Sequence, residues 1–167
     1  MIYFVIAALV VVLDQWSKWY MSDLLTLCIP GRCESIEILP VFQLTLLHNS
    51  GAAFSFLNDA GGWQRYLLVT ISVVVSAYVA FWLYRIRQQE KFLAFGLTMI
   101  LGGAVGNLVD RAFVGYVVDF LVVHWDDAYF PAFNIADSAI TVGAGVLILE
   151  MFMKNESTGT LENKHDG

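Results

Sequence analysis

Charge is scarce in this chain. Of its 167 residues only 14% are charged, while 58% are hydrophobic and the mean hydropathy is +0.66. A soluble domain of this size carries about 25% charged residues, so the composition excludes an ordinary water-soluble globule and points to the bilayer. Cations are scarcer still: nine Lys and Arg face fifteen Asp and Glu, for a net charge of -6. That balance excludes the basic face a nucleic-acid partner needs and supplies no polybasic membrane anchor. The three histidines, His48, His124 and His165, are scattered, and no H-E-x-x-H occurs, so a zinc protease has no ligand set. Only two cysteines are present, Cys28 and Cys33, and no nearby thiol or histidine completes a metal site with them. They either close a small disulfide loop around Pro30-Gly31, if that segment lies outside the cytosol, or remain free thiols. No internal repeat or low-complexity tract is present, and no metal or organic cofactor is implied.

Long apolar runs are what the chain has in quantity. Four approach the roughly 20 residues that cross a hydrocarbon core of about 30 Å: Ile2 to about Met21, Tyr66 to Tyr84, Phe92 to about Val109, and Asn134 to Met153. The first has no Lys or Arg before it and no small-x-small cleavage site after it, which predicts a retained helix rather than a signal peptide. The fold class expected is an all-α integral membrane protein with four transmembrane helices, one domain over residues 1–153. A polar cytoplasmic tail, 154–167, is expected to carry no fold of its own. The short loop Arg85-Ile-Arg-Gln-Gln-Glu-Lys91 holds three cations and faces the cytosol by the positive-inside rule, which puts both termini there. Insertions at about 22–62 and 111–133 then lie on the extracytoplasmic side. Within them Ile36 to His48 and Tyr116 to Trp125 are rich in apolar and β-branched residues, which predicts strands and a small extracytoplasmic β-sheet element on the membrane surface. Trp63, after Gly61-Gly62, fits an interfacial anchor.

Against this apolar background two aspartates stand out: Asp119 within Tyr116-Val-Val-Asp-Phe-Leu-Val-Val123 and Asp137 within Phe133-Asn-Ile-Ala-Asp-Ser-Ala-Ile140. An ionisable group in or against hydrocarbon is a functional hypothesis by default. Helical spacing places Asn134, Asp137, Ser138 and Thr141 on one stripe of the fourth helix. Gly103, Asn107, Asp110 and Arg111 share a stripe of the third, and Asp14, Ser17 and Lys18 one of the first. Polar residues also serve as glue between membrane helices, and that reading stands equal to function for Asn107, Ser138 and Thr141. Gly102 and Gly106 form a G-x-x-x-G, read as close helix packing. Among the four carboxylates, Asp14 has Lys18 one turn on, and Asp110 adjoins Arg111, a pairing that needs another segment because helix neighbours do not face each other. Cation-paired carboxylates make poor proton donors. Asp119 and Asp137 have no Lys or Arg within four positions and remain as the acid and base of a proton-sharing pair. A Ser-Lys arrangement using Lys18 with Ser55 or Ser138 is the weaker catalytic alternative. A proton-coupled transporter and a structural assembly subunit are the non-enzymatic rivals.

The motifs that hold these residues resemble, in order, those of lipoprotein signal peptidase, or signal peptidase II, a family of bacterial inner-membrane aspartic proteases. They are Asp14-Gln-Trp-Ser-Lys18, His48-Asn-Ser-Gly-Ala-Ala-Phe-Ser55, Gly102-Gly-Ala-Val-Gly-Asn-Leu-Val-Asp-Arg111, Val117-Val-Asp-Phe120 and Phe133-Asn-Ile-Ala-Asp-Ser-Ala139. The resemblance implies Asp119 and Asp137 as catalytic. It implies functional roles at Asp14, Asn49, Gly51, Asn107, Asp110, Arg111, Asn134 and Ala139, to which Lys18 and Ser138 are added as supporting residues. It also implies the substrate, a prolipoprotein whose cysteine carries diacylglycerol and which is cut just before that cysteine. The partners expected are lipid-modified prolipoproteins and membrane lipid, for a chain acting as a monomer. Cys28 and Cys33 fall between the motifs, so nothing about their pairing is inherited.

Overall fold

The computed structural model describes residues 1–51 and 62–162, with side chains up to Lys154. Ala52 to Ser55, Gly61 and His165 lie outside the described residues, and with them the Ser55 alternative. The helices are α1 (Ile2–Leu24), α2 (Trp63–Ile86), α3 (Lys91–Phe113) and α4 (Ile135–Glu162). All four are long and apolar enough to cross a membrane, so the chain is a multi-pass membrane protein. Each outruns the apolar stretch that announced it, because helices end where backbone hydrogen bonds end rather than where hydropathy falls. In α4 the apolar span stops at Lys154 while the helix continues to Glu162, so part of the tail expected to be without structure is helical.

Helix α3 is the hub, packed against α1, α2 and α4. Its small residues let the neighbouring backbones come close. A Cβ on Gly102 would meet Val10 at 2.7 Å, and one on Gly106 would meet the Asp14 carboxylate at 2.7 Å, so the G-x-x-x-G faces α1 as its spacing predicts. One on Gly103 would collide with the Ala136 carbonyl of α4. Helix α2 leans on α3 and makes no comparable contact with α1 or α4. Exposed residues such as Leu9, Val12, Val74, Phe81 and Ile148 cover the outward faces, as a lipid solvent requires.

Outside the helices the chain forms one antiparallel sheet in the order β1 (Ile36–Leu39), β2 (Phe42–Asn49), β3 (Val117–Trp125), β4 (Ala128–Tyr129). The stretch from Ile36 to His48, expected as a single strand, is instead a hairpin turned at Pro40, which has no N–H to give to a ladder. Between β2 and β3 the register sets Leu47 opposite Asp119 and Asn49 opposite Val117, so Asn49 sits diagonally across from Asp119 on the same face. Backbone bonds between Leu121 and Phe133 tie the start of α4 to β3. Cys28 and Cys33 are joined in a disulfide. Ile29 and Arg32 exchange backbone hydrogen bonds of 3.0 and 2.9 Å across Pro30-Gly31, a turn that needs the positive φ of +85° that Gly31 supplies.

A candidate carboxylate site between α1, α3, α4 and β3

Asp137 owes its orientation to the way α4 begins. Asn134 caps the helix, its Oδ1 accepting from the Asp137 N–H at 2.9 Å, while Asp137 Oδ2 reaches back to the Asn134 N–H at 3.3 Å. This is the reciprocal exchange of a capping box. The other Asp137 oxygen accepts from Asn107 Nδ2 of α3 at 2.7 Å. Fully buried Asn134 also donates through Nδ2 to Asp119 Oδ1 at 2.7 Å and to the Val118 carbonyl at 3.2 Å. Asn49 Nδ2 donates to the second oxygen of Asp119 at 3.2 Å. One asparagine therefore bridges the two aspartates, and each aspartate oxygen meets a donor.

Beneath them lies a buried ion cluster. Lys18 Nζ stands 2.7 Å from Asp14 Oδ2 and 2.9 Å from Asp110 Oδ2, and donates to Asn107 Oδ1 at 3.0 Å. The pairing expected between Asp14 and Lys18 is found. Asp110, however, takes Lys18 rather than Arg111 as its cation. Asp14 Oδ1 accepts the Ala136 N–H at 2.9 Å, which ties α1 to the first turn of α4. Asp110 Oδ2 accepts the Val118 N–H at 3.2 Å, which fixes β3 one residue before Asp119. Arg111 Nη2 donates to the Gly51 carbonyl at 3.2 Å, and its Nε has no partner among the described residues. Neither Asp119 nor Asp137 forms an ion pair among the described residues.

Asp119 is 3% exposed. Burial, and after it the Asp137 charge, push its carboxyl up from 3.8 to about 7 against the opposing pull of hydrogen bonds from Asn49 and Asn134 and of the Lys18 charge. A carboxyl that titrates near neutrality beside a second carboxylate is suited to passing a proton to and from a substrate.

Not every residue of the polar stripes reaches this site. Ser138 Oγ donates to the Asn134 carbonyl at 2.9 Å, Thr141 Oγ1 to the Asp137 carbonyl at 2.8 Å, and Ser17 Oγ to the Asp14 carbonyl at 2.8 Å. These hydroxyls satisfy their own helices. Ala139 is buried and Gly51 lies beside Asn49, whose Oδ1 takes the Gly51 N–H at 3.1 Å. The residue that spacing missed is Gln15, whose Nε2 donates to Asp110 Oδ1 at 2.7 Å and to the Gly106 carbonyl at 3.1 Å. Its one signal is adjacency to Asp14, and an i, i+4 search discards adjacency. No group of three or more His, Cys, Asp or Glu among the described residues is arranged to hold a metal ion.

The model of the family described as Signal peptidase (SPase) II matches residues 6–153. A lipoprotein signal peptidase of Pseudomonas putida is 51% identical over 154 residues, covering 91% of this chain and 87% of the relative. One from Acinetobacter baylyi is 45% identical over 162 residues, covering 96% and 88%. A solved structure described as a bacterial membrane enzyme superposes with a TM-score of 0.78 at 26% identity, covering 93% of this chain and 90% of the other.

Proposed function

This chain belongs to the signal peptidase II family, and we propose that Asp119 and Asp137 are its catalytic pair. It is a membrane aspartic endopeptidase that removes the signal peptide from prolipoproteins. The observation that carries the assignment of the pair is the Asn134 bridge, which joins buried Asp119 and half-buried Asp137 in one cluster, neither of them in an ion pair among the described residues.

In this reading Asp119, which keeps its proton up to about 7, is the protonated partner, and Asp137 is the ionised one and takes a proton from a water molecule. The water oxygen attacks the scissile carbonyl carbon. Asp119 holds the shared proton and gives it to the carbonyl oxygen as the tetrahedral intermediate forms. Collapse breaks the C–N bond: one hydroxyl of the intermediate returns its proton to Asp119 as the carbonyl re-forms, and the proton on Asp137 passes to the leaving amine. Asn49, Gly51 and Arg111 line the side from which a substrate backbone would approach, while Asp14, Lys18, Asn107, Asp110 and Asn134 form the frame. Ser138 and Ala139 act through the packing of α4.

The finer substrate assignment is part of the same proposal: a diacylglyceryl-modified cysteine, cut on its N-terminal side. A bundle in which α2 rests on α3 alone leaves apolar flank for both a signal-peptide helix and acyl chains. The cations of the Arg85-to-Lys91 loop support assigning it, with both termini, to the cytosolic side, and the site to the extracytoplasmic surface of the inner membrane. The disulfide fits an oxidising compartment. The enzyme is assigned as a monomer.

The test is cleavage of a lipidated precursor by the purified chain reconstituted in lipid. Asp119→Asn and Asp137→Asn each lower turnover by at least about 10³-fold. Full activity in either variant refutes the pair. A transporter or assembly subunit would tolerate both.

A further inference from the structure

Lys18 is too deep to meet a substrate, at 3% exposure, yet its ammonium is fully used. Three hydrogens are available and three acceptors surround it: Asp14 Oδ2, Asp110 Oδ2 and Asn107 Oδ1. An ammonium donates and never accepts, so the end of the Asn107 side chain that faces it must be the oxygen. Asn134 Nδ2 adds a second donor to the same oxygen at 3.3 Å. The NH2 end of Asn107 is thereby turned onto Asp137 Oδ1 at 2.7 Å. We propose that Lys18 is a positioning residue that locks the orientation of the Asn107 carboxamide, so that an N–H and never a carbonyl faces Asp137.

The consequence is an asymmetric pair. A proton on Asp137 Oδ1 would point at a hydrogen that Lys18 does not allow to turn away. At Asp119 the matching donor is Asn49, half-buried at the end of β2, whose oxygen takes the Gly51 N–H as its one partner among the described residues. No buried cation fixes that carboxamide among the described residues, so its oxygen can turn to a proton on Asp119, and the shared proton settles there. The other charged groups around Asp137 are Asp110 and Arg111 on α3, Asp119 on β3, and Asp14 beside Lys18 on α1. None of them determines which end of Asn107 faces Asp137.

This inference rests on the catalytic pair proposed above, and two measurements separate their fates. The first is the pH dependence of kcat/KM. In Lys18→Met the Asn107 oxygen keeps only the longer bond from Asn134 Nδ2 among the described residues, so the carboxamide can flip and the acidic limb moves up by about one pH unit, a tenfold change in proton affinity. Because that substitution also leaves Asp14 and Asp110 without their cation, the double variant Asp14→Asn with Lys18→Met is measured beside it, with one buried charge fewer. An unmoved limb in whichever of these folds overturns the proposal. The second uses the unaltered chain labelled with ¹⁵N asparagine, in which the Asn107 side-chain resonance is assigned through Gly106-Asn107, a pair that occurs once in the sequence. That resonance follows pH with the midpoint of the acidic limb. If it does not respond to pH while Asp119→Asn and Asp137→Asn are inactive, the Lys18 proposal falls alone. If it responds while Asp137→Asn remains active, the catalytic pair falls and the orienting role of Lys18 stands.

Discussion

Replacing Asp119 by asparagine removes activity but has a second, opposite effect on stability whose sign depends on pH. The folded chain holds the Asp119 proton up to about 7, against an ordinary value of 3.8, because the side chain is buried beside Asp137. Below 3.8 folded and unfolded states both carry the proton and the group is neutral toward folding. Between 3.8 and about 7 the folded state binds more protons than the unfolded one, so stability falls as pH rises. Above about 7 the full destabilisation is present, about 4 kcal/mol at 1.36 kcal/mol per pH unit. Asparagine occupies the same space without a charge. Its NH2 carries one hydrogen more than the protonated carboxyl, and with Asn49 and Asn134 at Asp119 that extra hydrogen meets a donor rather than an acceptor, which costs about 1 kcal/mol. Asp119→Asn is therefore less stable than the unaltered chain by about 1 kcal/mol at pH 4 and more stable by about 3 kcal/mol at pH 8. Denaturant unfolding of both chains in the same detergent, at pH 4, 6 and 8, measures the difference, in which the remaining carboxylates cancel. Curves that stay parallel across that range refute the buried, proton-holding Asp119.

The same group sets the basic side of the activity profile: kcat/KM falls as pH rises through about 7, and a profile flat to pH 9 contradicts this. Gly103→Ala forces α3 from the Ala136 carbonyl and displaces Asp137, so turnover drops about 10²-fold. Gly145→Ala meets nothing within 4 Å; stability rises by up to about 1 kcal/mol, read by the same unfolding assay, with turnover unchanged. Replacing both Cys28 and Cys33 by serine lowers stability by about 2 kcal/mol, the entropy of the short loop they close, without loss of turnover, because neither touches the aspartates. EDTA leaves turnover unchanged; its loss on chelation would reopen a metal mechanism.

The spans and the proposed catalytic aspartates were read from different signals. Spans follow from composition over 20 residues, and Asp119 and Asp137 from the absence of any nearby cation, both of which are local properties of the chain. The partners are not local. Asp110 sits beside Arg111 in the sequence but pairs with Lys18 of α1, and Gln15 reaches Asp110 across the same helix contact. Two donors that fix the site, the N–H groups of Ala136 and Val118, leave no trace in side-chain identity, since every residue except proline has one. Pro40 was visible, yet its effect on the first strand depended on where β2 had to lie.

What the chain-local reading selected by absence, the fold accounts for by charge. Asp14, Asp110, Asp119 and Asp137 converge with only Lys18 and Arg111 against them, which leaves two net negative charges if every carboxyl is ionised. Lys18 is engaged by Asp14 and Asp110, and Arg111 makes no ion pair among the described residues with either remaining aspartate. In apolar surroundings one shared proton halves that excess, and of these four carboxyls Asp119 and Asp137 are the two that form no ion pair among the described residues. The framing ion cluster thus does more than fasten three helices: by engaging Lys18 elsewhere, it leaves a proton as the remaining way to relieve the proposed catalytic pair.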